Sequence, residues 1–269
     1  MKQSCRILGV FLCVLILSSM TFPVYASAAG SVIDTSTANE GYFTVTYHDG
    51  NSSKMKVGLV GSSGTKYLTY EPGEPATFSF PEDGSYTITL FKNVVGTSYR
   101  TVTSTQVTVK IQDELAPYLV STDEITFSDD DVVGQVASKL CKDLQDTDDK
   151  VLAIHNYIAS NFSYNNDFAD AVNRGEIRNY VPDTTEIITT QTGVCYDFSA
   201  LFAAMCRSQG IPCAVQKGYY YGSYHAWNNV YVGDQWVSVD LTASIANGLF
   251  GRYMSQCLIA TGSGTAYAY

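Results

Sequence analysis

The chain has 269 residues, 45% of them hydrophobic, and carries 26 Asp+Glu against 16 Lys+Arg for a formal net charge of −10. That length is enough for one large or two modest domains. So acidic a chain excludes charge-driven binding to nucleic acid or to an anionic membrane surface.

The first predicted element is a leader. Lys2 and Arg6 precede an apolar run from about Ile7 to Leu17, and the small-residue pattern Ala26-Ser27-Ala28 follows. This is the layout of a secretory signal peptide, residues 1–28, cleaved near Ala28. A membrane-spanning helix needs roughly 20 apolar residues, and neither this run nor any later one supplies them. The expectation is a secreted, extracellular protein without a transmembrane anchor. Cleavage removes two basic and no acidic residues, which takes the net charge to about −12. It also removes Cys5 and Cys13, leaving Cys141, Cys195, Cys206, Cys213 and Cys257. In an oxidising compartment that odd number leaves at least one thiol free or intermolecular. If disulfides form, the pairs in view are Cys206 with Cys213 and Cys141 with Cys257.

From about Gly41 to Ile111 short strands follow one another. "GYFTVTYHDG", "KMKVGLVG", "ATFSFPEDGSYTITLFKN" and "TQVTVKI" alternate with period two, and Asp49-Gly50 and Asp83-Gly84 mark turns. Regular short strands without helical patterns between them predict an all-β, immunoglobulin-like sandwich domain over residues 29–115. Such a domain can bind cell wall or glycans, or act as a spacer or folding partner; the spacer reading is the plainer one. His48 beside Asp49 reads as a turn residue rather than a metal pair.

After the connector "QDELAPYLVSTDEITFSDDD" the period changes. Val133, Val136, Ala137, Leu140 and Leu144 predict one helix, and Val151, Ile154, Ile158 and Phe162 a second. The acidic clusters Asp129-Asp130-Asp131 and Asp146-Thr147-Asp148-Asp149 lack the alternating ligands and distal glutamate of a calcium loop, so they read as helix caps. His155, beside the second apolar stripe, reads as a packed or surface histidine.

A third helix is predicted from Cys195 to about Gln209, with Phe198, Leu201, Phe202 and Met205 as its buried stripe and Gly210 and Pro212 as its stop. Cys195 then lies in the first turn, where unsatisfied N–H groups and the positive end of the helix dipole favour a thiolate. Cys206 within the helix and Cys213 in the following strand have no such surroundings. Thirty residues on, "GSYHAWNNVYVGDQWVSVD" predicts two strands joined at Gly233-Asp234. With those two residues as the loop, Val232 faces Gln235 and Trp227 faces Asp240, which puts His225 and Asp240 on one face as diagonal neighbours roughly 7–8 Å apart. A loop of odd length would separate them. A thiol, an imidazole and a carboxylate in this relation suit acyl transfer.

These residues also resemble a known family. "TGVCYDFSALFAAMCRSQGIPCAVQKGYY" with "HAWNNVYVGDQWVSVD" is similar to the core of the transglutaminase-like superfamily, relatives of papain-type enzymes, over about Asp183 to Asp240. The match consists of a glycine two before the cysteine, a helix ending in Gly-Ile-Pro, a His-Ala-Trp strand and a Trp-to-Asp strand. The resemblance implies an α+β, papain-like transglutaminase core over residues 116–269 in a secreted bacterial member. It further implies Cys195 as nucleophile, His225 as base and acid, and Asp240 as the group orienting His225. The chemistry implied is that of a peptidase, an amidase or an acyltransferase acting on protein or peptide amides, cell-wall peptide among them, and it needs no metal or organic cofactor. "GVCYD" stands where animal transglutaminases carry Gly-Gln-Cys-Trp, which argues against calcium activation and protein cross-linking. Gln191 is a weak candidate for a second oxyanion donor, and Tyr219, Tyr220 and Tyr221 would flank the cleft. The alternative is a non-catalytic module of the same fold that binds peptide or glycan at the cell surface.

Overall fold

A computed structural model of the protein describes residues 32–48, 50, 54–178, 180–220, 223–247 and 267–268. The leader, Asp49, Tyr221 and Cys257 lie outside the described residues. Within them no helix is long and apolar enough to cross a membrane.

The N-terminal half is built from β1 (Ile33–Asp34), β2 (Tyr42–Val45), β3 (Met55–Gly61), β4 (Gly64–Tyr70), β5 (Ala76–Ser79), β6 (Gly84–Val95) and β7 (Ser98–Val109). They form two antiparallel sheets, ordered β1-β2-β5 and β4-β3-β6-β7. Alternation decides which side chains turn inward. Phe43, Val45 and Phe78 from the first sheet meet Val57, Leu59, Ile88 and Leu90 from the second in one apolar cluster. Burying each such side chain fully contributes roughly 1.5–3 kcal/mol. The Asp83-Gly84 turn is not a hairpin: it carries the chain from one sheet to the other, and Asp83 Oδ1 anchors it by accepting the Ile111 N–H at 2.8 Å. Strand β4 has no counterpart in the expected set, because at a sheet edge all its residues but Tyr70 are exposed or only partly buried, and they show no apolar alternation.

The C-terminal half is mixed. Helices α1 (Val132–Cys141), α2 (Thr147–Asn161), α3 (Asn166–Asn173), α4 (Thr184–Thr190), α5 (Cys195–Ser208) and α6 (Leu241–Asn247) accompany β8 (Ser163–Tyr164), β9 (Thr192–Gly193), β10 (Cys213–Tyr220), β11 (Ser223–Val232), β12 (Gln235–Val239) and β13 (Tyr267–Ala268). Strands β12-β11-β10-β13 form one antiparallel sheet. The acidic clusters are caps: Asp131 Oδ1 accepts the Gly134 N–H, and Asp146 Oδ1 the Asp148 N–H, each at 2.8 Å. Helix α5 is the centre of this half, since every residue from Asp197 to Arg207 is buried. Neighbours surround it, and apart from Asp197, Ser199 and Arg207 the buried stretch is apolar on every side. It ends where predicted, with Ile211 N–H donating to Cys206 O and Gly210 N–H to Arg207 O, the paired bonds of a Schellman stop. Buried Arg207 ties α5 to the connector by donating to Cys213 O at 2.9 Å and to Val120 O at 2.7 Å.

Candidate active site

The hairpin register fixes one side of the site. Gly233 and Asp234 both adopt positive φ, as a two-residue primed turn requires, and Val232 pairs with Gln235. The ladder closes at Asn228 opposite Val239, one pair short of the expected Trp227–Asp240 pair. Asp240 instead begins the next element, where its Oδ1 accepts the Ala243 N–H at 3.2 Å and so caps α6. Its other oxygen lies 3.0 Å from His225 Nε2. One carboxylate therefore holds both a helix and an imidazole.

The other side of the site is the approach to α5. Strands β8 and β9 pair in parallel, with Ser163 N–H donating to Gln191 O and Asn165 N–H to Gly193 O. Gln191 closes α4 in the left-handed region at φ 53°, and its side chain is exposed. Gly193 is required by close approach, since a Cβ there would stand 2.7 Å from the Asp197 side chain. Asp197 accepts the Val194 N–H at 2.8 Å and the Tyr180 O–H at 2.7 Å. Burial nevertheless keeps its pKa above the usual carboxylate range. These contacts place Cys195 as the first residue of α5, half-buried, with its N–H donating to the Tyr164 hydroxyl. Burial and the neighbouring thiol push the Tyr164 phenol up.

Cys195 and His225 are hydrogen-bonded through their side chains. The structure thus brings Cys195, His225 and Asp240 together, with the Trp227 ring nearly parallel to the imidazole at 6.3 Å. Burial works against charging His225, yet the bonds to Asp240 and Cys195 prevail and raise its pKa to about 10. At neutral pH the ring holds its proton.

Two features of the site carry no mark in the sequence. Asp197 and Tyr180 pin the turn before the thiol, although only the Asp197 side, three residues into a predicted helix, has a recognisable capping position. His155 is fully buried, with Nε2 2.9 Å from Ser244 Oγ, and that hydroxyl in turn donates to Asp240 O at 3.1 Å. It is a packed histidine, but one that supports the Asp240 turn; burial lowers its pKa. Cys141, Cys206 and Cys213 are free buried thiols, so the Cys206–Cys213 bridge is not formed even though the two side chains touch. His48 is exposed. Among the described residues no cluster of three or more His, Cys, Asp or Glu could hold a metal ion.

A family model described as the transglutaminase-like superfamily matches residues 134–241. An uncharacterised Bacillus subtilis protein, YebA, is 30% identical over 166 residues, which are 50% of this chain and 22% of that protein. The mouse kyphoscoliosis peptidase is 28% identical over 122 residues, 41% of this chain and 18% of that one. The chain spans about a fifth of the length of these curated relatives. Among solved structures, a provisionally assigned cysteine protease from Cytophaga hutchinsonii covers 85% of this chain and 89% of its own at 20% identity and a TM-score of 0.42. The red sea bream transglutaminase covers 75% and 48% at 11% identity and a TM-score of 0.34.

Proposed function

Because residues 134–241 belong to the transglutaminase-like superfamily, whose fold suggests peptidase or acyltransferase activity, we propose that the protein is a thiol enzyme forming an acyl-enzyme on Cys195. The observation that carries this reading is the hydrogen-bonded run from the Cys195 thiol through His225 to Asp240. The Cys195 thiolate attacks the carbonyl carbon of a protein or peptide amide, and the carbonyl electron pair moves onto oxygen. The Tyr164 hydroxyl, which accepts the Cys195 N–H, takes the role of donor to that developing charge in place of Gln191, whose side chain is exposed. As the C–N bond breaks, the His225 imidazolium gives its proton to the departing amine. Water or a primary amine then attacks the thioester, His225 takes the proton back, and the C–S bond breaks to restore the thiolate. Asp240 keeps the imidazole in one tautomer and orientation throughout.

Two further proposals rest on the sequence. Residues 1–28 form a signal peptide and the mature protein acts outside the cell, and residues 29–115 form an immunoglobulin-like accessory domain beside the catalytic residues 116–269.

The test incubates the protein with a glutamine-donor protein and a fluorescent primary amine, following amine incorporation and peptide cleavage together. One of the two products is expected, with hydrolysis favoured because "GVCYD" departs from the animal signature, and Cys195→Ala should abolish it. Equal product from the Cys195→Ala protein would overturn the proposal.

A further inference from the structure

We infer that His155 is a positioning residue for the proposed reaction: through Ser244 it holds the turn that aims the Asp240 carboxylate at His225. The inference rests on the acyl-enzyme reading, in which Asp240 orients His225. It assigns part of that orientation to α2, a helix that carries none of the three reacting residues.

Three hydrogen bonds from the first turn of α6 fix Asp240. Its carbonyl O accepts the Ser244 N–H at 3.2 Å and the Ser244 O–H at 3.1 Å, and its Oδ1 accepts the Ala243 N–H at 3.2 Å. The remaining oxygen, Oδ2, is the one 3.0 Å from His225 Nε2. The aim of that oxygen therefore depends on how α6 sits. A helix of seven residues does not hold its shape alone, since isolated helices below about 12–15 residues are marginal in water. It takes its position from its surroundings.

Helix α2, with 15 residues, supplies one support. His155 projects from it, fully buried, and its Nε2 meets the Oγ of Ser244, also fully buried, at 2.9 Å. The other ring nitrogen, Nδ1, lies 3.2 Å from Asn156 Oδ1, so both nitrogens of the ring are held. Burial lowers the His155 pKa, which leaves the ring uncharged at neutral pH. It thus links α2 to α6 without adding a charge to the site. An unbroken run leads from α2 to the imidazole: His155 to Ser244 at 2.9 Å, Ser244 to Asp240 at 3.1 Å and Asp240 to His225 at 3.0 Å. Supporting bonds of this kind keep reacting groups within about 0.5 Å of the productive geometry. A misplacement of about 1 Å is enough to slow a reaction roughly 10²-fold.

The test reads His225 itself. Histidine Cε1–H signals of the full chain are followed by NMR from about pH 6 to pH 11, a range that brackets the ordinary and the raised histidine values. The chain has three histidines, so His155→Leu leaves His225 and exposed His48 as the two signals. In the unaltered protein the His225 midpoint is expected at about 10, where burial opposes the charge and the Asp240 bond is the largest contribution that raises it. His155→Leu and Ser244→Ala should each lower that midpoint by about one pH unit, and His155→Gln, whose amide can still reach Ser244, should restore it. A midpoint that His155→Leu leaves unmoved, whatever happens to the melting temperature, overturns the inference and makes His155 a packing residue alone. So does a midpoint that moves with His155→Leu but not with Ser244→Ala. Where His155→Leu does not fold, Ser244→Ala decides by the same midpoint. A lowered midpoint in a protein whose unaltered form yields neither cleavage nor amine incorporation would leave His155 in this role and remove the acyl-enzyme reading instead.

Discussion

Between Ile33 and Val109 the buried residues are apolar, and the deeply placed phenols Tyr70 and Tyr86 send their hydroxyls to backbone groups of Tyr47 and Glu82. Between His155 and Ser244 the described residues bury ten polar or charged side chains, among them Asp197, Arg207, Asn228 and Asp240. Each such burial is unfavourable by about 1–3 kcal/mol unless a partner restores the lost hydrogen bonds. Asp197, Arg207 and Asp240 each have two or more partners, and Asn228 donates to Ser199 O and Ala214 O. The difference teaches where the fold relies on shape alone and where it fixes polar groups in place. The apolar cluster holds two sheets together. The polar one holds a thiol, an imidazole and a carboxylate in register.

The largest effect that sharpens this contrast is expected from Asp240→Asn. Asparagine still caps α6, so the fold should be kept, while turnover should fall by about 10²–10⁴-fold because the imidazole is free to take the other tautomer. An unchanged rate in a steady-state assay would break the assignment of that polar network to function. Phe43→Ala should do the opposite: urea unfolding should show a loss of about 3–5 kcal/mol, with the Cys195 alkylation rate kept in the folded protein. A smaller effect follows from Asp197→Ala, which strands the Val194 N–H and removes the Tyr180 partner. Stability should drop by about 1–3 kcal/mol, and Cys195 labelling should slow because the first turn of α5 is no longer pinned.

The smallest effect is a pH slope. A folded-state pKa of about 10 for His225 lies above the ordinary histidine value, so the fold binds this proton more tightly than the unfolded chain does. Its contribution is fully present below about pH 6.5 and is lost as pH rises through about 10. Unfolding midpoints measured across that window should fall faster for the unaltered protein than for His225→Ala. Parallel slopes would mean that the imidazolium is not held by the fold.

How legible this was depends on whether the determinant is local. Helix α5 shows its stripe, its glycine stop and its cysteine within 16 residues, and the hairpin shows its loop at Gly233-Asp234, so both read directly from the sequence. Helix α4 does not, because six of its seven residues are Thr or Ile, weak helix formers. It is held by the Asp183 cap and by Thr189 and Thr190 hydroxyls that donate to carbonyls four residues back. Helix α3 has only eight residues and buries none of them, so its Phe168, Ala171 and Val172 make too short a pattern to mark it. The His155–Ser244 contact spans 89 residues, and no spacing rule points to it. Tyr164 was equally hidden: its two-residue strand reaches Cys195 only through a parallel pairing with β9.

The central claim is that His225 and Cys195 act as a pair, and alkylation tests it most directly. The protein is treated with iodoacetamide at slightly acidic pH, and each cysteine is followed by peptide mass spectrometry. The account predicts that Cys195 reacts well before buried Cys141, Cys206 and Cys213, because the thiolate is the reacting species, and that His225→Ala slows Cys195 selectively. A Cys195 that labels no faster than Cys206 or Cys213, at a rate His225→Ala leaves unchanged, would contradict it.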